Sequence, residues 1–188
     1  MKKLFCIIFV PVSVLTISGC ANSAELPQIT LVKYRVDNTD YPYAAFEKNK
    51  QVRSITVYTN DGKIFSAEFE GSEYQDDPVW INPGSDDCYE RLTELAEGEP
   101  SGSVPEEEQS LIRDNYKNFS EWTALKMTDC GTIYDYMDVT ELYVVFEDGG
   151  ETRVEKLAEL SCSPNCRDSA AVRKFAGAIL GSPFPSDD

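Results

Sequence analysis

The stretch Arg53–Gly71, RSITVYTNDGKIFSAEFEG, limits the folds open to this chain more than any other. Two runs of alternating apolar and polar residues flank Asn60-Asp61-Gly62. A period of two marks a strand with one face turned to a core, and a glycine at the turn supplies the positive φ that a tight connection needs. The same pattern returns in TELYVVFEDGGETRVEKL (140–157), which turns at Asp148-Gly149-Gly150. ITLVKYRV (29–36) reads as a further strand from its β-branched and aromatic content. These runs point to one antiparallel sheet, or two packed sheets, with helices packed on it.

Three helices are predicted. The first, SDDCYERLTELA (85–96), has Ser85 as N-cap, acids in its first turn and Gly98 beyond its end. The second opens at Ser103-Val104-Pro105-Glu106 as a capping box with Pro105 in its first turn, and runs to about 117. The third, about 167–180, carries Val172, Phe175, Ala176, Ile179 and Leu180 at helical spacing and stops at Gly181. Between the first two, EGEPSGSVPEEE (97–108) is acidic and rich in Pro, Gly and Ser, and marks a boundary between two halves.

Those halves share residues. Residues 29–45 set over 122–138 align Thr30 with Thr123, Lys33 with Lys126, Thr39 with Thr132, Tyr41 with Tyr134 and Tyr43 with Tyr136. Residues 55–70 set over 142–157 align Val57 with Val144, Asp61-Gly62 with Asp148-Gly149, and Glu68 with Glu155. Hairpins also share Asp-Gly through turn chemistry alone, so duplication and convergence both stay open. The expected fold is a single α+β domain over 29–188, its antiparallel sheet built from two strand–hairpin–helix units with helices on one face. The half-repeats would be 29–98 and 119–181, joined by a linker and helix over 99–118.

Residues 1–19 have the layout of a secretory signal: Lys2 and Lys3, then an apolar run from Leu4 to Ile17, then small residues. Ile17-Ser18-Gly19-Cys20 resembles the bacterial lipoprotein lipobox. The resemblance implies cleavage before Cys20, diacylation of its sulfur, and a lipidated tether over 20–28. With Ala21 following, it implies the periplasmic face of the outer membrane if the source is Gram-negative. Two or three acyl chains, at about 0.8 kcal/mol per buried CH₂, anchor a protein firmly.

Loss of the two signal lysines leaves 15 basic against 33 acidic side chains, a formal charge of −18 over residues 20–188. Such a surface does not hold nucleic acid phosphates and is repelled by anionic lipid, so membrane contact is left to the acyl chains. Its natural partners are cationic proteins or divalent cations, of which a cationic protein is the one expected here. The chain has no histidine, which removes Ser–His and Cys–His nucleophile pairs and the usual zinc and copper ligand sets. A hydrolase built on two carboxylates stays conceivable, but the expectation is a protein that is not an enzyme. No cofactor and no metal are called for. The acidic stretches SEYQDDP (72–78) and INPGSDD (81–87) lack the ordered ligand spacing of a calcium loop.

With Cys6 in the signal and Cys20 lipidated, Cys88, Cys130, Cys162 and Cys166 remain, an even set that reads as disulfides in an oxidising compartment. Four cysteines allow three connectivities. Cys162-Ser163-Pro164-Asn165-Cys166 is compact enough to close on itself, which would leave Cys88 with Cys130. Trp80 and Trp122 are expected in the core.

The candidate partner-binding residues are two Tyr-x-Tyr elements beside carboxylates: Asp40, Tyr41 and Tyr43, and Tyr134, Asp135, Tyr136 and Asp138. Tyrosine offers large contact area with a polar tip and, next to acids, suits Lys- or Arg-rich surfaces. The competing expectation is that one tyrosine of each pair packs into the core at a strand start. A hairpin, a capped helix, the run LYVVFEDGGETRVEKL (142–157) and a closing helix together resemble the emfourin-type protease inhibitors over the C-terminal half. That resemblance implies an inhibitory function. The leading expectation is an envelope-anchored lipoprotein that inhibits, or confers immunity to, a basic hydrolase or toxin. The alternative is a structural or assembly lipoprotein without an inhibitory role.

Overall fold

A computed structural model of the protein describes residues 26–37, 51–69, 85–132, 139–182 and Phe184. Among the described residues, eight strands form one antiparallel sheet: β1 (Ile29–Asp37), β2 (Gln51–Thr59), β3 (Lys63–Glu68), β4 (Gly102–Ser103), β5 (Met127–Asp129), β6 (Val139–Asp148), β7 (Glu151–Leu160) and β8 (Asn165–Arg167). Their order is β4-β3-β2-β1-β6-β7-β8-β5. The fold is α+β, with β1 and β6 at the centre. Interleaved with the strands are α1 (Asp86–Ala96), α2 (Glu106–Asn115), a 3₁₀ turn (Tyr116–Asn118), α3 (Phe119–Ala124) and α4 (Ala170–Leu180). Among the described residues, no helix is long and apolar enough to cross a membrane.

Both expected hairpins form, at the expected turns. Gly62 takes φ 79°, and Gly149 and Gly150 take φ 62° and 87°, the pair of positive values that a two-residue hairpin connection demands. Gly62 is also enclosed: a Cβ there would meet Nε2 of Gln109 on α2.

Both faces of the sheet are apolar, and this decides where the helices go. Along β6, Leu142, Val144 and Phe146 join one buried cluster while Val139, Tyr143 and Val145 join the other. On β1 the same split sends Leu31 to one side and Val32, Tyr34 and Val36 to the other. Helices α2, α3 and α4 cover the first face through Ile112, Phe119, Trp122, Val172, Phe175 and Ile179. Helix α1 packs on the opposite face through Cys88, Leu92 and Ala96. The helices therefore occupy both faces, not the one face expected. A sheet with two apolar sides at about 25 cal/mol per Å² of exposed apolar area cannot leave either in water.

On the first face Phe119 stacks within 6.0 Å of Trp122, 5.7 Å of Tyr116 and 5.6 Å of Phe175. Trp122 and Phe175 are 5.4 Å apart. Trp122 is thus a core anchor, as expected; Trp80 lies outside the described residues.

The caps follow the sequence in part. Ser85 caps α1, its hydroxyl accepting from Cys88 N at 3.3 Å, and Gly181 closes α4 at φ 70°. The capping box at Ser103 does not form: Ser103 pairs with Lys63 in β4, and Pro105 is the N-cap of α2 with no side-chain bond. Helix α4 starts at Ala170, later than expected, because Asn165–Arg167 is drawn into the sheet between β7 and β5. Of the internally similar segments, 55–70 and 142–157 are both hairpins, whereas strand 29–37 is set against the end of α3 and the short β5. The helices that close the two halves, α1 and α4, lie on opposite faces of the sheet.

Candidate functional site

All seven predicted partner-binding residues (Asp40, Tyr41, Tyr43, Tyr134, Asp135, Tyr136 and Asp138) lie outside the described residues, as does Cys20. Their points of attachment are described. β1 runs into the first segment at Asp37, β6 leaves the second at Val139, and Val36 pairs with Val139 across the two strands. Both Tyr-bearing segments are therefore tethered to adjacent strands at one end of the sheet.

The described residues hold four other features. The first is a polar network set into the α1 face. Lys156 Nζ lies 2.6 Å from Glu141 Oε1 and 3.0 Å from Glu159 Oε2. Tyr143 donates its hydroxyl to Glu141 Oε2 at 3.1 Å. The Tyr34 ring meets Tyr143 edge-on at 5.4 Å, and the Tyr34 hydroxyl is 3.3 Å from Cys88 Sγ. Glu141 is 2% exposed, so the charge needs this compensation. Burial works to lower the Lys156 pKa, but Glu141 and then Glu159 outweigh it, and the net shift is upward. Burial, aided by Cys88 for Tyr34 and by Glu141 for Tyr143, drives both phenols far up, so both stay neutral. Each Glu141 oxygen is engaged and both phenols hold their protons, so the network orders and neutralises the buried charge.

A bulge builds this network. Leu142 pairs with Ala158, and Tyr143 with Lys156, so Leu157 is an extra residue on β7. The parity change puts Lys156 and Glu159 on one side, where strict alternation would separate them. Glu141 faces Glu159 directly across the strands, and Lys156 sits between two like charges that would otherwise repel. Sequence reading missed the network because the bulge carries no glycine or proline to announce it.

The second feature is the cysteines. None of the described four is bonded to another: Cys88, Cys130 and Cys166 are buried and Cys162 is exposed. Cys88 belongs to the α1 face and Cys130 to the face under α2–α4. The sheet stands between them, so the expected Cys88–Cys130 pairing does not fit this fold. Instead Cys130 Sγ touches Cys166 Sγ at 2.8 Å. Among the described residues, no group of three or more His, Cys, Asp or Glu side chains is placed to hold a metal ion.

The third feature is electrostatic. Between residues 86 and 108 nine acids (Asp86, Asp87, Glu90, Glu94, Glu97, Glu99, Glu106, Glu107 and Glu108) stand against Arg91 alone. Eight of them are exposed and Glu108 is half-buried. Arg91 is held by Glu94 at 3.1 Å. This segment starts as α1 on one face, crosses the edge of the sheet as β4 beside β3, and continues as α2 on the other face. The acids thus flank the β3–β4 edge from both faces as a belt, interrupted at the edge strand itself, where Lys63 pairs with Ser103.

At the hairpin end, a shallow groove of about 630 Å³ lies between Leu26–Gln28, Asn60, Tyr116, Glu147 and Gly150. Its walls are pinned by Asn60 N donating to Gln28 O at 3.0 Å and by Glu147 N donating to the Tyr116 hydroxyl at 3.2 Å.

Comparison with family models, with curated proteins and with solved structures finds no match to the chain.

Proposed function

We propose that this is an envelope-anchored lipoprotein that binds another protein, acting as an inhibitor or immunity protein against a cationic hydrolase or toxin. The observation that carries this reading is the acidic belt: nine carboxylates against one arginine over residues 86–108, carried by α1 and α2 and the chain between them on either side of the β3–β4 edge. An edge strand is where a sheet is open to a partner chain, and a single-sign field there steers a basic protein to it. The lipobox resemblance supports this reading, since acylation at Cys20 would hold the belt within a short tether of the membrane. The Tyr-bearing segments, tethered together at one end of the sheet, supply a second contact region of suitable chemistry.

The test adds the protein to a panel of basic cell-wall hydrolases and proteases and follows activity and association rate against salt. At least one target is expected to be inhibited, with association slowing as salt rises. Replacing Glu90, Glu94, Glu97 and Glu99 together by glutamine is expected to slow association about tenfold or more at low salt. Association that ignores both salt and these replacements removes the belt from the mechanism. Stable recovery with a resident envelope assembly, and no inhibition of any target, turns the reading to the assembly alternative.

A further inference from the structure

The far edge of the sheet is made of two strands of three residues each, β5 and β8. Strands this short hold few ladder bonds and open readily. Their backbone register is nonetheless well defined: Thr128 pairs with Cys166, Cys130 N donates to Pro164 O at 2.8 Å, and Asp168 N donates to Lys126 O at 2.9 Å. Arg167 reinforces the edge, donating to Lys156 O at 2.9 Å and to Leu125 O at 2.8 Å.

That register carries Cys130 and Cys166 into contact, with their sulfurs 2.8 Å apart and the two residues 2% and 0% exposed. The backbone already brings the two residues together, which is the requirement that most cysteine pairs fail. The other two cysteines are placed differently: Cys88 is across the sheet, against the Tyr34 hydroxyl, and Cys162 is exposed. The geometry points to a disulfide between Cys130 and Cys166 that staples β5 to β8, formed by exchange with a disulfide oxidant. It encloses the whole β6–β7 hairpin, and it joins the strand that follows α3 to the strand that precedes α4. The aromatic contacts between those helices, Trp122 against Phe175 at 5.4 Å, are then held from both ends.

The chemistry balances as two exchanges. The thiolate of one cysteine attacks a sulfur of the oxidant's disulfide and releases one oxidant thiol. The second cysteine's thiolate then attacks the protein sulfur of that mixed disulfide and releases the other. The protein gives up two electrons and two protons, and the oxidant's disulfide becomes two thiols. In the closed fold burial, and then the adjacent Cys130, push the Cys166 thiol up to about 12 against the opposing effect of Arg173. Neither exchange runs well on a thiol held protonated, so the bond forms while the edge is open, during folding or local opening. The staple stands apart from the proposed binding role, and one can fail without the other.

The full chain, purified and equilibrated with oxidised glutathione, is alkylated and digested with trypsin without reduction. Cys130 falls in Met127–Arg153, and both Cys162 and Cys166 fall in Leu157–Arg167. The expected product is Met127–Arg153 joined to Leu157–Arg167 with two hydrogens lost, and alkylation of Cys130 and Cys166 falling to near zero. The same product is expected from Cys162→Ser, which leaves Cys166 as the only partner in its peptide. Three results overturn the proposal: free thiols on both peptides after equilibration, a bond closed within Leu157–Arg167, or Met127–Arg153 joined to Ile64–Arg91, which carries Cys88. Loss of the joined product in Cys162→Ser also overturns it, since Cys162 would then be the true partner.

Discussion

Replacing Lys156 by methionine removes the ammonium that lies 2.6 Å from Glu141 and 3.0 Å from Glu159. Glu141 and Glu159 are directly opposed across β6 and β7, so two carboxylates are left side by side where Glu141 is 2% exposed. Taking one partner from a buried pair costs about 3–5 kcal/mol. The variant has one way out, which is to protonate a carboxylate. For an ordinary glutamate at pH 7 that costs about 3.7 kcal/mol, from about 1.36 kcal/mol for each pH unit above about 4.3. The smaller cost sets the outcome, so the expected loss is about 3–4 kcal/mol at pH 7. In a domain of this size it appears as a fall in Tm of roughly 6–16 °C.

The pH dependence is the sharper part. At pH 5 the protonation ceiling drops to about 1 kcal/mol, so most of the defect is expected to disappear. On the alkaline side the sign follows from the raised Lys156 pKa. Its stabilisation is fully present below the unfolded value near 10.5 and is lost as pH rises through the higher folded value, so wild type and Lys156→Met converge there. Urea titrations of both proteins at pH 5, 7 and 11, followed by the fluorescence of buried Trp122, measure this directly. A defect under about 1 kcal/mol at pH 7, the size of a surface pair, refutes the argument. So does a defect that is equal at pH 5 and pH 7. The double variant Glu141→Leu, Lys156→Met is expected to recover most of the loss, because the uncompensated charge is gone; the part not recovered is the cost of the acceptor lost by the Tyr143 hydroxyl.

Two further changes test packing and turn chemistry. Gly62→Ala forces a side chain onto a left-handed φ, costing about 1–2 kcal/mol, and displaces Gln109 from its 3.2 Å bond to Val104 O. Gly149→Ala meets the same backbone cost with nothing within 4 Å of the new Cβ. Thermal unfolding is expected to show the larger loss in Gly62→Ala, and the excess is expected to vanish when Gln109→Ala is the shared background. Trp122→Ala opens a hole beside Phe119 and Phe175 and is expected to cost about 3–5 kcal/mol in a urea titration. Combined with Phe175→Ala it is expected to cost less than the sum, since both remove one shared contact.

The parts of the fold legible in the sequence are those with local causes. Alternation and the glycine turns define both hairpins without reference to anything distant. Ser85 and Gly181 mark helix ends because a cap is settled within a few residues. The strands β4, β5 and β8 were illegible for the converse reason. Two or three residues hold no period, and those strands exist only because a neighbour offers its edge. Ser103 shows the conflict plainly: its local pattern favours a helix cap, and pairing with Lys63 overrides it. The two-sided core was partly readable. Leu142 to Phe146 is an unbroken apolar run, the mark of a strand buried on both faces, yet the weaker alternation around it suggests one buried side.

The chemistry-bearing contacts were hidden by two further effects, both of parity and distance. Counting by twos along β7 sends Lys156 and Glu159 to opposite faces, and only the extra residue Leu157 brings them together over Glu141. A rule that ignores bulges therefore scatters the very residues that neutralise the buried charge. For the cysteines, nearness in sequence favours Cys162 with Cys166, which are four residues apart. The backbone instead brings Cys166 to Cys130, across 36 residues, because β8 inserts between β7 and β5. The β8 strand turns Cys166 Sγ toward Cys130, and a pair needs both the separation and the side-chain direction to suit. The β5–β8 edge, the least visible element in the sequence, thus determines which two sulfurs can meet.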